Sequence, residues 1–413
     1  MFAFIARQPI LDRDKQVFAY ELFFRDGKNN CYPSEERDEQ TSKLIAKNYQ
    51  TLHLDDISCS KKSFINFQSE TLMSGLPASL DPENVVVELV AGRSDASSLL
   101  DMCKHVKKMG YKVALEECNL KPNWNDFLPF IDMLKFNTNH ENLEFLATNV
   151  NRIMDANVQL IADQVDTQDS FSIYKDVGFD YFQGYFFAKP ESVSNKNLLT
   201  SKLTLVELMG ASSSESFDIE SINSVVEHDV GLSYMLLRFI NNPTINKRYK
   251  ITSLRHALNY MGEVEIKKFI ALLALANLSD NKPLELLHLS LVRAKFCDLL
   301  GSENSIGTNP PVAFLVGLFS MLDALLDQKM EFLVEKLPIA DEVKEALCGG
   351  QNDLSMYLSL VKAFESGNWL KVIRISKILE IDQKLLHSLF NKAILWGNGV
   401  RRSISPHFPE SKA

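Results

Sequence analysis

Six short apolar runs in the first half of the chain each end in a residue able to bind a cation or carry a proton. They are VFAYE ending at Glu21, SFIN at Asn66, VVVE at Glu88, KVALE at Glu116 with Glu117 beside it, DMLK at Lys135 and QLIAD at Asp163. Carboxylates, one amide and one lysine gathered in one place suit a hard divalent cation and a phosphate-bearing substrate. Taken singly, Asn66, Glu116 or Asp163 reads more simply as a cap or a loop anchor. The ordered set is what carries the functional reading.

Those side chains can meet only if the runs are neighbouring strands pointing the same way. An apolar, β-branched run of this length reads as a buried parallel strand. Helical patterns alternate with the runs. VVVEL at 85–89 is followed by a stretch with Leu99, Cys103 and Val106 on one face; Gly110 then breaks the helix and KVALE begins. Strand–helix–strand units in series predict a parallel sheet or barrel. In a barrel, the carboxyl ends of the strands converge on one face, which holds the site. The segment closes on the aromatic GFDYFQGYFFAKP.

Polar residues accumulate over 191–197, and after them the period changes to 3.6. Leu232, Met235, Leu236, Phe239 and Ile240 follow helical spacing, as do Leu315, Leu318, Phe319 and Leu322. Leu386, Leu389, Phe390 and Ala393 repeat it, with Asp382 placed as an N-cap. The second half therefore reads as an all-α domain over 199–396, with a frayed tail at 397–413.

With 413 residues, 46% hydrophobic and 23% charged, the chain has ample core for two or three domains. A net charge of −9 argues against nucleic-acid or anionic-membrane binding through a broad basic surface. The six cysteines (Cys31, Cys59, Cys103, Cys118, Cys297 and Cys348) include no C-x-x-C pair and show no zinc spacing. MFAFIARQPI lacks the charged start and long apolar core of a signal peptide, and no apolar run reaches membrane-spanning length. The expectation is a cytosolic protein with no membrane insertion.

The first half, over residues 1–195, resembles EAL domains, TIM-like α/β barrels that hydrolyse cyclic di-GMP. AYELFFR is similar to their signature, with Glu21 at its glutamate and Arg25 at the arginine that contacts substrate phosphate. The landmarks continue in family order through Asn66, Glu88, the acidic pair Glu116–Glu117, Lys135, Asp163 and Asp166, and DYFQGYFF with Gln183 and Gly184. The resemblance implies magnesium or manganese between Glu21, Asn66, Glu88, Glu116 and Glu117. It further implies that Lys135 orients or deprotonates a water, Asp163 and Asp166 take the later catalytic positions, and Arg25 and Gln183 hold substrate.

The chain departs from that pattern at the second ion. The usual Asp-Asp pair is Glu116–Glu117, one methylene longer on each side. The following loop, CNLKPNW, has no glycine, and the glutamate expected three residues after Glu88 is Ala91. Asn137 stands where an aspartate is usual, and Asp163 and Asp166 replace glutamates. Lengthening two ligands while shortening two opposite them moves an ion from both sides, and a site of this kind needs its ligands within about 0.5 Å of productive geometry. The residues thus imply a degenerate barrel acting as a scaffold or a cyclic di-GMP sensor; the alternative is a metal-dependent phosphodiesterase that tolerates the altered ligands.

The second half resembles HDOD domains, helical modules related to HD phosphohydrolases but lacking their metal ligands. DVGLSYMLLRFINN, ITSLRHALNYMG, LLHLSLVRAKFCDLL and AFLVGLFSMLDALL run in family order. His228–Asp229 is not an HD metal pair on this reading: Asp229 directly precedes a helix and is placed to cap it. His256 and His288 read as packing or surface residues, and Asp323 as a buried paired acid or a solvent-facing one. An EAL-like barrel followed by an HDOD domain implies a bacterial signalling protein whose helical half binds a partner signalling protein.

Overall fold

The computed structural model describes residues 3–26, 57–67, 72, 80–90, 95–116, 124–138, 143–189, 230–243, 245, 250–278, 282–303 and 311–404. The chain divides into two compact units, the first over Met1–Lys189 and the second over most of the chain from Pro190 onward.

The first unit is a closed eight-stranded barrel. Its strands are β1 (Ala3–Asp12), β2 (Val17–Asp26), β3 (Lys62–Asn66), β4 (Val85–Val90), β5 (Lys112–Glu116), β6 (Met133–Asn137), β7 (Gln159–Asp163) and β8 (Tyr181–Gln183). All six apolar runs are strands; β3, β5 and β7 end at Asn66, Glu116 and Asp163, while β4 and β6 run two residues past Glu88 and Lys135 and β2 runs on to Asp26. From β2 to β8 neighbours are parallel. The exception is β1, which runs antiparallel to both β2 and β8. A short turn allows no other pairing, because parallel strands need a long crossover. Asp12 builds that turn: its Oδ1 accepts from the backbone N–H of Asp14 (2.9 Å) and Gln16 (2.8 Å), while Lys15 takes a left-handed φ of 59°.

Among the described residues of this unit, three α-helices accompany the strands: α1 (Ala96–Lys108), α2 (Leu143–Asp155) and α3 (Gln168–Val177). Asp95 caps α1 by accepting from the Ser98 N–H at 3.0 Å. The apolar stripe of α1, Leu99, Met102, Cys103 and Val106, is buried. Gly110, at φ 90°, ends the helix as expected. Gly184 is fixed by crowding: a Cβ there would lie 2.1 Å from the Val165 carbonyl oxygen. That close approach lets Val165 N–H donate to the Gln183 carbonyl at 2.9 Å and ties the end of β8 to the loop after β7.

The described part of the second unit is helical: α4 (Val230–Ile240), α5 (Leu254–Leu278), α6 (Leu284–Glu303), α7 (Val312–Phe319), α8 (Leu322–Leu326), α9 (Met330–Lys336), α10 (Asp341–Leu347), α11 (Asp353–Glu365), α12 (Trp369–Ile378) and α13 (Gln383–Ile404). Asp382 stands at the N-cap position of α13, its carbonyl accepting from the N–H of Leu385 and Leu386. Two expectations are corrected. The pattern from Leu315 to Leu322 is not one helix, because α7 ends at Phe319 and Leu322 opens α8. Every residue of α7 is buried, so its apolar residues define no single face. The helical region also does not stop near Trp396, since α13 continues to Ile404 with Val400 and Ser403 buried. Gly397, which resembles a stop, instead lets α13 approach α6: a Cβ there would lie 2.9 Å from Val292 Cγ2.

Candidate functional site

Ile10, Ala19, Phe64, Val86, Ala114, Met133 and Ile161 form one buried cluster inside the barrel, with Tyr181 packed on it. Side chains two residues apart on a strand share a face. Moving two residues toward the β2–β8 carboxyl ends therefore gives a second layer, and it is polar on every strand: Gln8, Glu21, Asn66, Glu88, Glu116, Lys135, Asp163 and Gln183. The pairing agrees, with Gln8 opposite Glu21, Asn66 opposite Glu88, and Glu116 opposite Lys135.

The Lys135 ammonium lies at the middle of this layer. Its Nζ is 2.8 Å from Glu21 Oε2, 2.9 Å from Glu88 Oε1 and 4.0 Å from Glu116 Oε1, with the lysine side chain 1% exposed. Burial opposes charge on all three groups, and the balance differs for each. Burial alone would push Lys135 down, but the carboxylates of Glu21, Glu88, Glu116 and Asp163 outweigh it and hold the ammonium well above its ordinary range. Glu21 overcomes its own burial through Lys135 and the Gln183 amide and falls below the usual carboxylate value. Glu88 is pushed well above that value by burial and by the Glu21 charge. One ammonium faces two buried carboxylates, and the balance favours charge on Glu21 and a proton on Glu88. Burial also raises Asp163, with Lys135 pulling the other way.

Gln183 completes the inner layer. Its Nε2 donates to Glu21 Oε2 and, at 3.1 Å, to Gln8 Oε1. Among the described residues, two buried oxygens in the layer, Glu88 Oε2 and Gln183 Oε1, have no hydrogen-bond partner. Buried polar atoms are normally satisfied, so each calls for a ligand, an ion or a water. The donors are carboxylate and amide oxygens, the chemistry that magnesium and manganese prefer. The residues therefore fit a hard divalent ion in type and in unsatisfied capacity. As they stand, they are spaced around the ammonium, and among the described residues no three acidic, histidine or cysteine side chains converge on one ligating point.

The structure brings Glu21, Glu88, Glu116, Lys135, Asp163 and Gln183 together, with Asn66 beside Glu88. It does not bring Asp166 to them. Asp166 is exposed on the loop after β7, where its Oδ1 accepts a long bond (3.4 Å) from the Tyr185 N–H. Asn137 is paired in register with Asp163, so an uncharged amide stands where the resemblance expects a carboxylate. Arg25 lies on β2, with its side chain outside the described residues; Glu117, Ala91, most of the CNLKPNW loop and the His228–Asp229 pair are also outside them. Sequence reasoning missed Gln8. The signal was a polar residue interrupting the inward set Ala6, Gln8, Ile10, legible once β1 is known to be a strand.

In the helical unit His288 is buried in α6 and His256 is exposed on α5. Asp323 is neither a fully buried nor a free acid. It sits in the first turn of α8 with Oδ1 2.9 Å from the Ala324 N–H, and burial raises its carboxyl above the usual range. No helix among the described residues is long and apolar enough to cross a membrane.

Comparison with known proteins finds relatives of the helical unit and of the whole chain. Residues 198–330 match the HDOD domain family. The chain is 33% identical over 404 residues to a Vibrio cholerae protein named cyclic di-GMP phosphodiesterase CdgJ, covering 97% of this chain and 94% of that one. It is also 33% identical over 408 residues to the uncharacterized protein YuxH of Bacillus subtilis, covering 96% and 98%. Among solved structures, a standalone EAL protein from Vibrio cholerae in its c-di-GMP-bound form is 21% identical, with a TM-score of 0.36, over 46% of this chain and 92% of that one. With relatives matched at this identity from end to end, the chain belongs to the family of two-domain proteins in which an EAL-type barrel precedes an HDOD domain.

Proposed function

We propose that this protein is a cytosolic bacterial regulator of cyclic di-GMP signalling. Its barrel serves as a dinucleotide sensor, or as a scaffold derived from one, and its helical domain engages a partner signalling protein. The observation that carries this reading is the polar layer itself. Glu21, Glu88 and Lys135 remain locked together, with Glu88 Oε2 unsatisfied, whereas the groups expected for a second ion are altered. Asn137 has no charge to give, and Asp166 lies on the exposed rim. Glu21, Asn66, Glu88 and Glu116 would hold one magnesium or manganese ion. Such an ion, when bound, supplies positive charge to a phosphate oxygen. Arg25 would orient the substrate, and Lys135 would balance the charge of the carboxylates around it.

Calorimetric titration of cyclic di-GMP into the full chain with magnesium present tests this. A saturable heat supports a sensor, and its absence leaves the barrel as a scaffold. A heat flow that persists until substrate is exhausted means turnover and overturns the non-catalytic reading.

The second reading, a metal-dependent phosphodiesterase giving linear pGpG, is favoured by the name carried by the Vibrio cholerae relative and by the intact Glu21, Asn66, Glu88 and Lys135. It predicts that chromatography detects pGpG from the wild type and none from Glu21→Ala.

A further inference from the structure

We infer that Gln8 is a positioning residue for the barrel site, acting through Gln183 to present a buried oxygen to a hydrated divalent cation. The inference rests on the single-ion reading above and adds a residue from the one strand that runs backwards through the barrel.

Gln183 Nε2 donates to Glu21 Oε2, and an amide oxygen in its place would face an oxygen that already accepts from Lys135 Nζ. An amide nitrogen carries two hydrogens. One goes to Glu21 and the other to Gln8 Oε1, 3.1 Å away. Gln8 thus accepts the second hydrogen, its own amide nitrogen turned elsewhere. With both hydrogens committed, Gln183 Oε1 is fixed as the remaining end of the amide, and it is buried with no partner among the described residues, in a residue that is 1% exposed. Without Gln8, nothing described fixes the second hydrogen, and the amide can turn about the single bond to Glu21. Such supporting contacts to metal-binding groups commonly contribute tenfold to a hundredfold in ion affinity.

The register explains why β1 can supply this contact. Gln8 is opposite Glu21 on β2, and Ile10, two residues on, is opposite Gln183 on β8. Gln8 is therefore diagonal to Gln183 and level with Glu21, within reach of both.

The test is manganese binding to the full-length protein, followed by the loss of the free-ion electron paramagnetic resonance signal, for the wild type, Gln8→Leu, Gln183→Leu, the double variant and Gln8→Glu. Gln8→Leu keeps the volume and removes the acceptor, and affinity is expected to fall about tenfold. Gln8→Glu keeps the acceptor and should bind at least as tightly as the wild type. In the Gln183→Leu background, Gln8→Leu should cost nothing further, a non-additivity that a purely structural role would not produce. Equal affinity of Gln8→Leu and wild type, or additive losses in the double variant, overturns the inference. A wild type that binds no manganese overturns both the inference and the single-ion reading. Manganese binding with the expected coupling but no cyclic di-GMP binding supports the inference and removes the dinucleotide as ligand.

Discussion

Replacing Lys135 by methionine should destabilise the barrel far more than neutralising either partner would suggest. The ammonium is 1% exposed and contacts Glu21 at 2.8 Å and Glu88 at 2.9 Å, with those carboxylate side chains 7% and 0% exposed. Methionine fills similar space, so the loss is electrostatic: Glu21 is left ionised and buried with only the Gln183 amide, or it must take up a proton. Removing one partner of a buried pair costs about 3–5 kcal/mol. Glu88→Gln is the contrast. Burial and the Glu21 charge push Glu88 toward its neutral form, and glutamine keeps an oxygen for Lys135 to donate to, so the cost should be about 1 kcal/mol or less. The assay is equilibrium urea unfolding of the full chain in chelator, followed by circular dichroism. With a slope of about 2 kcal/mol per molar urea, Lys135→Met should lower the midpoint by roughly 1.5–2.5 M, and Glu88→Gln by about 0.5 M or less. Equal midpoints for the two variants would refute the assignment of the proton to Glu88 and of the charge balance to Lys135.

Three further outcomes follow from local geometry. The His387 ring in α13 is lowered from 6.5 to about 4 by burial, with Asn391 Nδ2 3.1 Å from its Nε2. Because the folded state resists protonation, its contribution is complete above pH 6.5 and is lost as pH falls toward 4. The full shift corresponds to about 3.4 kcal/mol, reduced to roughly 2–3 for a ring that water partly reaches; a His387→Asn variant should lose that much less stability between those pH values in thermal unfolding. Gly184→Ala should cost about 3 kcal/mol, because φ is 146° and the new methyl would meet Val165 backbone at 2.1 Å; circular dichroism melts of the variant would show it. Gly317→Ala should cost about 1–3 kcal/mol by forcing α7 away from α6, where the Arg293 carbonyl oxygen lies 2.4 Å from the added carbon, and a chemical-denaturation midpoint unchanged from wild type would contradict that packing.

The barrel was legible in the sequence because its parallel strands are buried on both faces and reduce to short β-branched runs ending in a polar residue. The same rule located Glu21, Glu88, Lys135 and Asp163, each the polar residue that closes an apolar run. It could not separate Asp163 from Asp166, which share one motif: the first closes β7 facing inward, and the second lies three residues further on a loop whose path depends on the contact between Val165 and Gly184. Gln8 was illegible for a related reason. Its place in the site depends on an antiparallel register with β2 that no periodicity within MFAFIARQPI reveals. In the helical unit, periodicity placed α4 and α13 but joined α7 to α8, because a helix buried on all sides carries no stripe to end.

The reversed first strand also sets an order of events during synthesis. β1 and β2 are neighbours in sequence and can pair as soon as both leave the ribosome, but the other edge of β1 pairs with Tyr181–Gln183, about 170 residues later. At about 5–20 residues per second, that edge waits roughly 10–30 s for its partner. An exposed strand edge invites pairing with another chain. Pro9, which has no N–H to donate, sits where the contact with β8 stops, so the waiting edge offers a template of three paired residues, Ile10 to Asp12, bounded by a proline on one side and a turn on the other. A nascent hairpin blunted in this way is a poor seed for aggregation, and the segment that later brings Gln8 to the site reaches the finished barrel unclaimed.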